Sequence, residues 1–121
     1  MGAPHDFGRR GEALAAEHLE ARGWTILARN FRLGRNEVDL VARRGRVVAF
    51  IEVKSRSGHG FGHPLDAITR SKRREIERVA RAWMARYGRP GDVYRFDAVA
   101  VVGRPMDAPE LLHVEDAWRT E

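Results

Sequence analysis

Acids and a lysine crowd the segment from Glu37 to Lys54, which reads Glu-Val-Asp-Leu-Val-Ala-Arg-Arg-Gly-Arg-Val-Val-Ala-Phe-Ile-Glu-Val-Lys. A two-residue turn at Arg44-Gly45, with glycine supplying a positive φ, folds this segment into a hairpin. Arg43 then faces Arg46, Val41 faces Val48, Asp39 faces Phe50 and Glu37 faces Glu52. Because side chains alternate between faces, Val38, Leu40, Ala42, Val47, Ala49, Ile51 and Val53 share one face, with no polar member. The other face carries Glu37, Asp39, Val41, Val48, Phe50, Glu52 and Lys54. Asp39 and Glu52 become diagonal neighbours, with backbones roughly 7–8 Å apart. Acids gathered in this way repel unless a cation sits among them, and a divalent metal together with Lys54 meets that need. Magnesium prefers oxygen ligands and keeps several waters. Asp39, Glu52 and the backbone carbonyl of Val53 are therefore the expected metal ligands, for Mg2+ or Mn2+. A metal held there polarises a phosphoryl oxygen and lowers the pKa of water, while Lys54 orients that water or stabilises the transition state. The chemistry is metal-assisted phosphodiester hydrolysis. The plainer alternative is an ordinary solvated strand face.

Composition bears on that choice. The chain has 22 basic residues, of which only Lys54 and Lys72 are lysine. An ammonium is a compact point charge that can release its proton, which a guanidinium does not do; one of the two lysines stands two residues from Glu52. The net charge of +5, dominated by arginine, suits a polyanionic partner such as nucleic acid. Cysteine is absent, which excludes disulfides, thiolate metal sites and cysteine nucleophiles. No Walker-type loop or dinucleotide fingerprint is present. No apolar run approaches the roughly 20 residues of a membrane span, and the N-terminal segment lacks the apolar core of a secretory signal. A cytoplasmic protein that makes no membrane contact is the expectation.

The 121 residues suit a single domain burying roughly 65% of its unfolded surface, with a core at about 8–102 and a C-terminal edge segment over 103–121. A first helix is expected from about Gly8 to Arg22, stopped by Gly23, with Ala15, Ala16 and Leu19 facing inward. Glu12 lies on that same stripe, where an acid serves either the helix dipole or a site. A strand from Trp24 to about Arg32 and a turn over Leu33–Asn36 precede the hairpin. The glycine-rich stretch Ser57–Pro64 carries His59 and His63 and is a candidate lid. A second helix runs from about Leu65 or Thr69 to Tyr87, ended by Gly88 and Pro90. Its inward stripe is Ile76, Val79, Ala80, Trp83 and Tyr87, with Lys72 one turn before. A strand over Val93–Val102 carries Asp97, read as a buried acid paired with Arg95 or another arginine. Glu110–Val114 would add an edge strand, with a closing turn at Asp116–Trp118. The order α-β-β-β-α-β, with a helix crossing over to the last strand, gives a mixed β-sheet flanked by helices.

Asp39 followed on the next strand by Glu52-Val53-Lys54 resembles the PD-(D/E)xK nuclease superfamily. More closely, the chain resembles the YraN-like bacterial family, which is related in fold to archaeal Holliday junction resolvases. The matching pieces are Gly8-x-x-Gly11-Glu12, Asn30-Phe31-Arg32, Glu37-Val38-Asp39-Leu40, Phe50 to Arg56, Phe61-Gly62-x-Pro64, Lys72 and Arg95-Phe96-Asp97. Asn36 replaces a glycine usual in the family, and Val38 the proline of the superfamily motif. The resemblance implies an α/β, restriction-endonuclease-like fold. It implicates Glu12, Asp39, Glu52 and Lys54 as catalytic residues and raises Lys72 and Asp97 as features to test; Lys72, Arg56 and Arg73 are the expected substrate-binding residues. The expected activity is a metal-dependent endonuclease acting on DNA, with branched or damaged DNA among its candidate substrates and a homodimer left open. An accessory protein that binds nucleic acid with little cleavage, and a protein-interaction adaptor, are the competing readings.

Overall fold

Gly45 turns the central hairpin with φ +62°, and its two strands run Asn36–Arg44 (β2) and Val47–Ser57 (β3). The computed structural model describes residues 4–57, 64–104 and 107–120, and side chains over 10–56, 66–103 and 108–120. His59 and His63 lie outside them, as does most of the candidate lid. The turn is Gly45-Arg46, one residue later than the pattern suggested, so Arg43 pairs with Val48 and Val41 with Phe50. The expected pairing is thus corrected by two residues. Asp39 does not face Phe50, nor Glu37 Glu52. A two-residue shift leaves each side chain on its face, so the face assignment survives from Leu40 onward and fails before Asp39, as described below.

Thr25–Leu33 (β1) pairs antiparallel with β2, Val93–Arg104 (β4) lies parallel to β3, and Asp107–Trp118 (β5) closes the sheet antiparallel to β4. The spatial order follows the chain, β1-β2-β3-β4-β5. The last strand is longer than expected, and it includes Asp116–Trp118, expected as a turn. Helix Pro4–Glu20 (α1) covers one face and helix Arg70–Tyr87 (α2) the other, after a short 3-10 turn at Pro64–Ala67. Parallel neighbours need a crossover, and α2 supplies it. The result is the mixed α/β sheet flanked by helices that the motif order implies. Among the described residues no helix is long and apolar enough to cross a membrane.

Both sheet faces are buried, not one. Ala15, Ala16 and Leu19 of α1 pack on Leu40, Ala42, Ala49, Ile51, Val99 and Val101. Ile76, Val79, Ala80 and Trp83 of α2 pack on Val41, Val48, Phe50, Phe96 and Trp118. Phe50 is the hub of that second layer, with ring centroids of Trp83, Phe96 and Tyr94 at 5.7, 5.8 and 5.9 Å. Thr69 caps α2 by accepting the Lys72 N–H at 3.1 Å, meeting one of the donors a helix start leaves unpaired.

The exception to the alternation is Val38, which packs against α2 together with Val41 instead of sharing the α1 face with Leu40. Ala28 and Phe31 of β1 also both touch the α2 layer. Residues three apart on a regular strand point to opposite faces, so both strands reset their alternation between these pairs, at Asn30 and Asp39. Asn30 has φ +50°, a left-handed conformation that asparagine tolerates better than most residues. β1 carries a further irregularity between Ile26 and Ala28.

Candidate metal centre

The kink at Asn30 and Asp39 is where the sheet opens. The β2–β3 ladder ends at Leu40 opposite Ile51. The Val53 N–H donates to Asp39 Oδ2 at 2.8 Å, so a side-chain carboxylate satisfies the β3 backbone next to Glu52. Glu52 is 4% exposed and Asp39 7%. Lys54 follows on the same face of β3, its Nζ 3.7 Å from Glu52 Oε1. Glu52 Oε2 is buried and accepts no hydrogen bond.

Burial first, then the repulsion of Asp39, pushes the Glu52 carboxyl up to about 8, against the pull of Lys72 and Lys54. Burial raises Asp39 to about 6, with Glu12 and Glu37 adding to the rise and the Val53 N–H and Lys54 opposing it. Removal from water disfavours the charged form of each carboxyl, and their mutual repulsion adds to it.

Gly11 brings Glu12 to this site from the opposite helix. A Cβ at Gly11 would collide with Ser55 Oγ, with Ser55 Cβ at 3.2 Å, so glycine lets α1 lie directly on β3. Glu12, on the next residue, is half-buried. Asn30 Nδ2 donates to Glu12 Oε2 at 3.1 Å and to Glu37 Oε1 at 3.5 Å, while Arg32 Nε donates to Glu37 Oε2 at 3.0 Å. Asn30 thus ties α1 to β2 across the acids that flank Asp39. Sequence reasoning did not count it among the site residues; the available signal was its place in the Asn30-Phe31-Arg32 piece of the family resemblance, on a mostly exposed strand.

The substrate-binding candidates divide. Lys72 lies within the field of Glu52 and 4.0 Å from Glu75 Oε2. Arg56 is half-buried further along β3 and makes contacts of its own. Arg73 turns the other way: its Nε donates to the Ile68 carbonyl at 3.1 Å and its guanidinium lies over the Trp118 ring, 5.5 Å from the centroid.

Asp97 is a structural acid, as expected, with Arg95 as its partner. Fully buried, it receives Arg95 Nε and Nη2 at 2.8 Å each, the Asp116 N–H at 3.0 Å and a bond with His113 Nε2 at 2.7 Å. Burial would raise its pKa, but the hydrogen bonds from His113, Arg95 and Asp116 prevail and hold it below the usual value. His113 had not been foreseen, because it reaches Asp97 through the β4–β5 pairing.

The buried Glu52 oxygen that no amide, hydroxyl or cationic group reaches, set beside the Asp39 carboxyl, is the observation that tests a metal against this site, and two adjacent carboxyls suit a hard divalent cation. The Asp39 and Glu52 carboxylates would leave positions for water, as magnesium requires. Among the described residues no three His, Asp or Glu side chains form a ready-made ligand cluster, so the fit rests on Asp39 and Glu52, and no observed contact brings the expected Val53 carbonyl there.

Residues 11–101 match the model of a family described as "Uncharacterised protein family UPF0102". Among curated relatives, the UPF0102 protein of Chlorobaculum tepidum is 46% identical, covering 98% of this chain and 95% of its own length. That of Chlorobium phaeobacteroides is also 46% identical, covering 97% of each chain. The Leifsonia xyli protein is 39% identical over 94% of this chain and 97% of its own. With the matched region spanning Glu12, Asn30, Asp39, Glu52, Lys54 and Lys72, this chain belongs to the UPF0102 family.

Proposed function

We propose that the protein is a metal-dependent phosphodiester hydrolase of the endonuclease type that acts on DNA, with branched or damaged DNA as the substrates to test first. The observation that carries this reading is the buried Asp39–Glu52 pair: no amide, hydroxyl or cationic group donates to Glu52 Oε2, its nearest acid is Asp39, and Lys54 stands 3.7 Å from the other Glu52 oxygen. A purely structural pair of buried acids would have its acceptors satisfied, as Asp97 does. Asp39 and Glu52 would hold Mg2+ or Mn2+, which supplies Lewis acidity at the scissile phosphate. Lys54 donates a hydrogen bond to the attacking water or to a non-bridging phosphate oxygen. Glu12, held by Asn30, adds negative potential that favours the cation and orients water at the edge of the site. Lys72 contributes positive charge where substrate phosphate arrives. The net charge of +5 supports a polyanionic substrate.

The test is a cleavage panel with magnesium and with manganese on single-stranded, duplex, flap and four-way DNA. Metal-dependent nicks on any of these support the reading. Intact substrates under both metals, with DNA still bound in a salt-dependent manner, would replace it with the accessory nucleic-acid-binding role.

A further inference from the structure

α2 begins against electrostatic expectation. Its first five residues are Arg70-Ser-Lys-Arg-Arg74, and its first turn has no acid. A helix N-terminus carries partial positive charge and favours anions, so cations gathered there repel both the helix and one another. Arg70 and Arg74, four residues apart, are exposed neighbours on one helix face, and neither makes an ion pair or hydrogen bond among the described residues.

Those charges surround a shape. Arg70, Arg73, Arg74, Glu77, Trp118 and Arg119 line a surface depression of about 370 Å³ where α2 meets the end of β5. Arg73 is positioned by the Ile68 carbonyl and the Trp118 ring. Arg119 pairs with Asp116 at 2.9 Å while its side chain stays 84% exposed. A guanidinium held through one edge still offers its remaining donors, and its planar fork matches a phosphate. Glu77 is the only acid among the six lining residues, so the depression is strongly cationic. Lys72 and Arg73, adjacent in the chain, connect the two regions: the Lys72 charge acts on Glu52, while Arg73 faces Trp118.

We infer that this depression is a phosphate-backbone clamp. It takes the nucleic-acid strand beyond the Asp39–Glu52 centre, with Arg70 and Arg74 contacting successive phosphates and Lys72 leading the strand toward the acids. The inference deepens the nuclease reading and rests on it for the direction of the strand. The cationic clamp itself is tested without cleavage.

The experiment measures binding of a fluorescein-labelled 20-base-pair DNA duplex and of one of its single strands by anisotropy, in EDTA, across a salt series. The double variant Arg70→Gln/Arg74→Gln alters only exposed side chains. It is expected to weaken binding about tenfold and to reduce the slope of log K against log salt by about 1.8, the loss of two phosphate contacts on duplex. The control Arg46→Gln/Arg86→Gln removes the same charge at the hairpin turn and at the far end of α2, and should change affinity less than about twofold. Equal weakening by the two double variants would show diffuse attraction and overturn the clamp, as would a wild-type protein that binds neither DNA. Clamp-dependent binding without any metal-dependent nick would sink the nuclease reading and keep the clamp. Cleavage that persists with the Arg70 and Arg74 variant binding as wild type would do the reverse.

Discussion

The Asp39 carboxylate takes the place of a backbone carbonyl: its Oδ2 accepts the Val53 N–H at 2.8 Å, just past the last β2–β3 ladder pair. One side chain therefore both terminates the sheet pairing and holds the strand that carries Glu52. Asp39→Asn keeps an oxygen acceptor for Val53 and removes a charge that repels Glu52. The variant should fold, bind DNA as well as or better than the wild type, and lose metal-dependent cleavage. Parallel loss of binding and cutting, measured by anisotropy and gel assay, would argue against a catalytic Asp39.

Lys54→Arg preserves charge and changes geometry. As a mere counter-ion to Glu52, arginine would serve, and it is the basic residue at 20 of the 22 basic positions of this chain. In a lysine that orients water or phosphate, a displacement of about 1 Å can cost roughly a hundredfold in rate. Single-turnover cleavage should drop by about that factor with melting temperature and DNA affinity unchanged; full activity would remove Lys54 from the catalytic set.

The raised pKa values make stability depend on pH. The folded chain holds protons on Asp39 and Glu52 more tightly than the unfolded chain, whose carboxyls titrate near 4. Their contribution is therefore fully present below about pH 4 and is lost as pH climbs toward about 8. Burial, with help from Arg22 and His113, lowers the His18 pKa and gives an opposing slope near its own titration. The comparison that isolates the pair is wild type against Glu52→Gln. In denaturant titrations the wild type should lose stability relative to the variant between pH 5 and 8. Magnesium should restore part of it at pH 8, by about 2.7 kcal/mol at a hundred times its dissociation constant. A constant difference across that range would mean that the pair is solvated.

Gly11→Ala places a methyl against Ser55. Overpacking of this kind costs about 1–3 kcal/mol, and it lifts α1, with Glu12, away from β3. Ser55→Gly in the same chain should recover most of the stability measured by urea unfolding. An absence of rescue would place the strain elsewhere.

Asn30 separates backbone from side chain. Asn30→Gly accommodates φ +50° but cannot bridge Glu12 to Glu37, so stability should change little while cleavage weakens. Asn30→Ala should lose the same bridge and additionally about 1 kcal/mol of stability from the left-handed backbone. Equal melting temperatures for the two variants would count against backbone strain at this position.

The sequence carried the faces of β3 well, because period-two alternation survives a misplaced turn. Putting the turn at Arg44-Gly45 moved every pair by two residues yet left Glu52 and Lys54 on the correct side. Val38 was misassigned because a kink leaves no mark in an apolar pattern: valine suits either face, and only the φ of Asn30 shows the reset. The acid pair was legible as residue types, but its burial under a second helix was not, since the amphipathic stripe of α2 does not reveal which sheet face it covers. His113 as a partner of Asp97 depends on the register of β5, which local propensity cannot supply.

The parallel pairing of β3 with β4 sets the order in which the acids meet their penalty. The hairpin carrying Asp39 and Glu52 closes over a short separation in the chain, whereas the β3–β4 pairing spans the whole of α2, and such distant pairings form slowly. Early in folding both carboxylates are hydrated and screened by water, so their repulsion is small. Desolvation arrives with the late crossover. Relieving it, by Glu52→Gln or by a bound cation, should therefore slow unfolding far more than it speeds refolding, so that an occupied site acts as a latch on the finished fold.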